Sequence, residues 1–423
     1  MQTAESRTGE RVLRLEDEFV RSQFPALTGE WVFLDNAGGS QVLRSAADRI
    51  RDFLLTSSVS LGAPYEASRL AGERVAEGAL AGAALVNADP GEIVLGPSAT
   101  QLVVNLARAM TESFLHGDEI IVTNLDHEAN ISPWLRVATE RGVIVKTWKV
   151  RPEAFELDLD DLDALLTDRT KLVCIAQVSN ILGAISPIGE VVQRAHARGA
   201  RVFVDGVAYA PHRLVDVRAW DVDFYVLSLY KVFGPRLGLL YGKREHLLEL
   251  SNINHVYVPK DAIPYKLQPG GFSYELAAGV PAIVEYLEEL GRRALDGETG
   301  EPAPRARLDA AFSAIAAAEA HAMAPLLAFL GERRDVRLFG WPTASPAHRV
   351  STVSVAVEGR DMADLARRLA ERRIGVRAGD FHSRRLLQDL GVPGGSVLRI
   401  SLAHYNSPEE IEHLIDQLGE LFR

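Results

Sequence analysis

Residues 223–242 read DFYVLSLYKVFGPRLGLLYG: an apolar run, a lysine, a Gly-Pro turn and a second apolar run. Strands without polar alternation belong to a sheet covered on both faces, and such a sheet is largely parallel. Lys231 stands where the first run ends. A surface lysine is the ordinary reading, but an ammonium directly after a fully apolar strand is costly to desolvate. A lysine in that position titrates low and is a candidate Schiff-base nucleophile.

The same grammar extends upstream. Short apolar strands are predicted at 92–95, 119–123, 143–149, 171–177, 201–205, 224–227 and 238–241. Helical patterns at 101–114, 134–141, 159–166 and 188–198 alternate with them, which is the signature of an α/β sheet. A short strand at 31–34 and helices at 45–55 and 67–85 come before. Beyond Tyr241 the pattern loosens, with Pro259, Pro264, Pro269 and Gly270-Gly271. Helices at 282–290 and 308–330 flank a polar, Pro-rich stretch, 298–304, that reads as an exposed linker. Strands at 336 onward and 350–357, a helix at 361–372, strands at 375–378 and 397–402 and a helix at 408–421 complete a small α+β unit. Ser407-Pro-Glu-Glu is an N-cap followed by acids in the first turn. The expected organisation is an arm at 1–30, a large α/β domain at 31–260, and a helical connection with a small C-terminal α+β domain at 261–423.

Composition excludes several classes of function. The chain has 423 residues, of which 47% are hydrophobic and 24% charged, the balance of a folded protein. Its net charge of −11 argues against nucleic acid or a membrane surface as partner. One cysteine rules out an internal disulfide framework and a Cys-based zinc site, and suits a reducing cytoplasm. No metal site is expected. The N-terminus has no apolar signal region, and no apolar run is expected to reach the ~20 residues of a spanning helix.

Three further segments could carry chemistry. Asp205 closes the strand RVFVD, at the sheet edge where α/β folds bind ligands. A carboxylate there can pair with a protonated pyridine nitrogen, although a turn-capping Asp is the plainer reading. Gly96-Pro-Ser-Ala-Thr100 precedes a helix, whose free N–H groups favour an anion. The GxGxxG dinucleotide pattern is absent there. His127, in Asn124-Leu-Asp-His127, follows a strand and can lay its ring on an aromatic cofactor or serve as loop decoration.

Together these segments resemble the class V aminotransferase family of pyridoxal-phosphate enzymes, in its cysteine-desulfurase-like branch. The resemblance covers nearly the whole chain, about 31–421. It rests on FLDNAGGSQ from Phe33, GDEIIVTNLDHEANISPW from Gly117, VSNILGAISP from Val178, VFVDGVAYAPH from Val202, DFYVLSLYKVFGP from Asp223, GVRAGDFH from Gly375 and LRISLAHYN from Leu398. It implies the type I fold of PLP-dependent transferases, pyridoxal 5'-phosphate as cofactor, a small amino-acid substrate and a homodimer.

The resemblance also implies roles. Lys231 is the lysine that binds the cofactor and shuttles a proton at Cα. Asp205 holds the pyridine nitrogen protonated, and His127 stacks on the ring. Asn180 lies near the phenolic oxygen. Ala99, Thr100 and Ser228 hold the phosphate. Arg399 clamps the substrate carboxylate with its planar fork, and Asn36 lies at the substrate.

The departures from the family's pattern bear on the reaction. His382 stands where desulfurases carry the catalytic cysteine of a mobile loop, and an imidazole cannot accept a sulfur atom. The only cysteine, Cys174, falls in an apolar strand and reads as a core residue. Tyr230 replaces a histidine before the lysine, Ala208 replaces a polar residue after Asp205, and Gly271 replaces a threonine sent from the partner subunit to the phosphate. Elimination from a thioether, a C–S lyase reaction with Lys231 as base and His382 as acid, ranks first. Transamination follows, then epimerisation with His382 or Tyr230 as the second base. Retention of Lys231, Asp205, His127 and Arg399 together argues against an inactive cofactor-binding scaffold.

Overall fold

The computed structural model describes residues 14–295 and 302–423. Residues 1–13 of the expected arm and 298–301 of the expected linker lie outside the described residues.

Seven strands form the large sheet: β1 (Ile93–Gly96), β2 (Glu119–Thr123), β3 (Ile144–Trp148), β4 (Thr170–Ala176), β5 (Arg201–Asp205), β6 (Phe224–Ser228) and β7 (Gly238–Gly242). Their order is β1-β7-β6-β5-β4-β2-β3. All neighbours are parallel except at β7, which runs antiparallel to both β1 and β6. The short Gly-Pro connection after Lys231 forces this reversal, because a parallel return needs a crossover of a dozen or more residues.

The missing polar alternation has a direct structural meaning. Successive strand residues point to opposite faces. Val173, Ile175, Val202, Val204 and Tyr225 enter one buried cluster, while Leu172, Cys174, Phe203, Phe224 and Val226 enter another. Both faces are thus apolar, and the sheet lies between two helical layers.

The C-terminal unit holds a four-stranded antiparallel sheet of β8 (Val336–Phe339), β9 (Thr352–Val357), β10 (Arg377–Gly379) and β11 (Val397–Ser401), ordered β10-β11-β9-β8. A third apolar cluster lies beneath it. The single strand expected at 375–378 is split. Ile374–Gly375 pairs in parallel with Val32–Phe33, and only Arg377–Gly379 joins the sheet. This pairing ties the start of the chain to the C-terminal unit.

Two expectations need correction. A short helix, Arg244–Glu249, occupies part of the section expected to be irregular. The helix Pro304–Gly331 is long and apolar enough to cross a membrane by length and composition, contrary to the expectation that no run would be. One side of it is buried inside the body: Leu308, Phe312 and Ile315 join the core of the large sheet, and Met323, Leu326 and Leu330 that of the small one. The helix also buries Glu319 against His212 Nδ1 at 2.7 Å, a polar contact that belongs to a protein core.

Candidate active site

The strands deliver their chemistry at one edge. Ala176, Asp205 and Ser228 end β4, β5 and β6, and Lys231 follows β6 by a single 3-10 turn, Leu229–Lys231. These C-terminal ends line a cleft of about 550 Å³ together with Ala99, Thr100, His127, Asn180, Ala208 and Tyr230. Open α/β sheets place ligands at this edge.

Lys231 is held low, at about 8, chiefly by burial and then by the positive charge of Arg399; Asp205 and Asp35 act the other way. Asp205 is 8% exposed, and burial raises its carboxyl while Lys231 lowers it. The Val207 N–H donates to its Oδ1 at 2.9 Å. Behind it lies Asp126, which the sequence reading overlooked. Burial, with a further contribution from Asp205, drives the Asp126 carboxyl well up. Asp126 accepts bonds from Asn130 Nδ2 at 2.6 Å and from the Thr123 hydroxyl.

His127 is neutral for two reasons. Burial, then the charges of Lys231 and His382, lowers it to about 4. Its Nδ1 also accepts the Ala129 N–H at 3.0 Å, which leaves Nε2 as the protonated nitrogen.

One end of the cleft is formed by the start of a helix. The helix Ala99–Met110 begins two residues before the expected start because Ser98 caps it, its side chain accepting from Gln101 N. Its first turn lies directly against β7. A Cβ on Gly238 would stand 2.4 Å from Ser98 C and 2.6 Å from Ala99 N, so only glycine permits that approach.

Arg399 is 3% exposed on β11 and close enough to Lys231 for its charge to lower that amine. Its Nη2 pairs with Asp35 Oδ1 at 3.0 Å, its Nη1 donates to the Asn180 carbonyl at 3.3 Å, and its face lies 3.8 Å from the Phe381 ring centre. Among the described residues its buried Nε has no hydrogen-bond partner, which leaves an N–H for a ligand oxygen. Asp35 and Phe381, both within the quoted segments, carried no chemical signal by residue type alone.

The segment bearing His382 is bonded at several points. Phe381 and His382 have φ of 50° and 58°, in the left-handed region. The Asn180 side chain donates to the Phe381 carbonyl at 3.0 Å and accepts from the Ser383 hydroxyl at 2.8 Å. The Glu128 N–H donates to the His382 carbonyl at 2.8 Å, and Arg385 grips Glu128 through Nε and Nη2 at 3.0 and 3.1 Å. The exposed His382 ring stands 5.0 Å from that of His127.

Two expected site residues lie differently. Asn36 is buried with its amide engaged: Nδ2 donates to the Phe33 and Ser401 carbonyls and to Asn406 Oδ1, and Oδ1 accepts from the Tyr405 hydroxyl. It ties the N-terminal segment to β11 and keeps no free donor for a substrate. Gly271 sits in a turn closed by its own N–H to the Gln268 carbonyl and is not among the residues lining the cleft of its own chain.

A depressed amine, a buried carboxylate, a neutral imidazole, a helix N-terminus and a guanidinium with a free N–H suit the aldehyde, pyridine ring and phosphate of pyridoxal phosphate and the carboxylate of an amino acid. Comparison with known proteins agrees. The family described as Aminotransferase class-V matches residues 32–303 and 306–414. The Aminotransferase-like protein FGM3 of Gibberella zeae is 38% identical over 408 residues, 94% of this chain and 96% of that protein. The Cysteine desulfurase-like protein ustD of Aspergillus flavus is 33% identical, over 96% of this chain and 91% of its own length. The crystal structure of the cysteine desulfurase CsdA of Escherichia coli superposes with a TM-score of 0.80 at 27% identity, covering 96% of this chain and 98% of that one.

Proposed function

Since this chain belongs to the class-V aminotransferase family of pyridoxal-phosphate enzymes, we propose that it removes a sulfur-bearing side chain from an amino acid by elimination, a C–S lyase reaction without a persulfide. The observation that carries this reading is the position of the sole thiol. Cys174 is fully buried in β4, and burial together with Asp126 pushes its thiol well up. A thiol that is neither exposed nor ionised cannot attack substrate sulfur. Residues 377–383 hold none.

When bound, pyridoxal phosphate supplies an electron sink for negative charge at Cα. Lys231 Nζ would hold the cofactor's aldehyde end and would take the proton from the substrate's Cα. With its pKa near 8 it exchanges that proton close to neutral pH. Asp205 accepts a hydrogen bond from the pyridine nitrogen and keeps it protonated. His127 covers the ring as a neutral imidazole. Ala99, Thr100 and Ser228 bind the phosphate, and Asn180 lies beside the phenolic oxygen. Arg399 binds the substrate carboxylate, with Asp35, the Asn180 carbonyl and Phe381 fixing its plane. His382 Nε2 or Nδ1 delivers a proton to the leaving sulfur. A second protomer completes the phosphate site near Gly271, so the working unit is a homodimer; monomer alone in sedimentation at micromolar concentration would contradict this.

The test is product analysis with S-alkyl-L-cysteines. Elimination releases thiol, pyruvate and ammonia in equal amounts. A keto acid that retains its side chain without ammonia would identify an aminotransferase instead, and loss of optical rotation with nothing released would identify an epimerase.

A further inference from the structure

A second, open cleft of about 1330 Å³ adjoins the first, with Tyr230 lining both. Its charged residues are Asp35, Arg236 and Arg377. Arg377 on β10 is the direct cross-strand neighbour of Arg399 on β11, so both guanidinium groups leave the small sheet on one face. Both address the Phe381 ring, Arg377 at 5.9 Å and Arg399 at 3.8 Å. Arg236 lies over the Tyr230 ring at 4.9 Å from the other wall. Like charges directly opposite each other in a sheet are destabilising.

Little compensates them. Among the described residues Asp35 is the one acid lining this cleft, and Arg399 already holds it at 3.0 Å. Among the described residues neither Arg236 nor Arg377 has an ion-pair partner, and Asp35, the acid beside them, is held by Arg399. Three guanidinium groups against one carboxylate make a local positive surplus on a chain whose net charge is −11. Stacking on an aromatic face fixes a guanidinium plane and leaves its edge N–H groups free for an oxyanion.

We infer that this cleft receives a second acidic group, a carboxylate or similar oxyanion borne on the side chain of the amino-acid substrate, with Arg236 and Arg377 as its specificity-determining residues. The inference rests on the reading that Arg399 takes the α-carboxylate. For an elimination, the acid then rides on the departing thiol.

The test uses the holoenzyme and two ligands of one shape, S-carboxymethyl-L-cysteine and its amide, S-carbamoylmethyl-L-cysteine, titrated against the cofactor's visible absorbance. The acid should bind roughly tenfold or more tightly than the amide, the gain expected of charge-assisted bonds. Added salt should shrink that ratio, as should Arg236→Gln and Arg377→Gln. Equal affinity of the unmodified holoenzyme for acid and amide overturns the inference while leaving the proposed reaction standing. A preference that survives the double Arg236→Gln/Arg377→Gln variant also overturns it. A spectrum that no L-amino acid perturbs brings down the reading of Lys231 and Arg399, and this inference with it.

Discussion

Gly238→Ala is the sharpest probe of how the phosphate end of the cleft is held. The added Cβ would meet Ser98 C at 2.4 Å, Ala99 N at 2.6 Å and Ser98 O at 2.8 Å, where ordinary contact begins at 3.4 Å. All three atoms are backbone, and Gly238 itself is fixed in register between Gly96 and Ser228. No side chain can rotate away, so the first turn of Ala99–Met110 must retreat by about 1 Å, a shift large enough to misalign bound groups. Phosphate bonds to that turn are charge-assisted, and losing one costs about 1.5–3 kcal/mol, which is roughly ten- to a hundredfold in affinity. The overpacking itself costs about 1–3 kcal/mol of stability. The assay is equilibrium binding of pyridoxal phosphate, and of pyridoxal, to the cofactor-free protein. The variant should lose affinity for the phosphate ester and bind pyridoxal almost as the parent does. Gly189→Ala, where an added Cβ meets nothing within 4 Å, serves as control. Unchanged affinity for pyridoxal phosphate in Gly238→Ala, or an equal loss for both ligands, would refute the assignment of this turn.

Lys231 must be neutral to capture the cofactor, so its capture rate in the cofactor-free protein should rise with pH and level off above about 8; an inflection near 10 would mean the amine is not desolvated, and Lys231→Ala should abolish turnover. Arg399→Ala should weaken amino-acid binding by about 2–5 kcal/mol, because the substrate carboxylate and Asp35 both lose their partner; unchanged affinity in a ligand titration would count against the clamp. His382→Ala should slow thiol release and leave cofactor affinity intact, and loss of cofactor would instead make that segment structural. His404 is held down to about 3, by burial first and then by the charge of His212, with the Tyr286 hydroxyl 2.6 Å from its Nε2. Its folded value lies below the unfolded one, so its contribution to stability is complete above pH 6.5 and is lost as pH falls, about 2–3 kcal/mol by pH 4.5. Urea unfolding of His404→Gln at pH 7 and 4.5 should show a smaller acid loss than the parent, and an identical loss would contradict this.

Fold and site were readable in the sequence to unequal depth. The apolar runs at β2 and β5 coincide with the observed strands because a strand buried on both faces allows no polar residue until it reaches the edge. Asp205 closes β5 and Lys231 follows β6, so their neighbourhood could be inferred from chain order alone. Asp126 was passed over because its neighbours in sequence, Asn124 and His127, look equally polar; only its burial beside Asp205 distinguishes it. Asn36, which the resemblance places at the substrate, has its amide bonded to Phe33, Ser401, Tyr405 and Asn406, contacts that no local stretch of sequence announces.

What the sequence alone determined is the set of strands of the large sheet and the reactive groups that follow them, since hydrophobic periodicity and chain order are local properties. The tertiary structure decided which distant residues meet. Asp35 and Arg399 are 364 positions apart and pair at 3.0 Å; Arg377 faces Arg399 only through strand register; Arg236 joins them from the loop that precedes β7 of the large sheet. Such contacts depend on how two sheets pack against each other. That packing is set by the summed burial of side chains across the whole chain, which no single stretch of residues encodes.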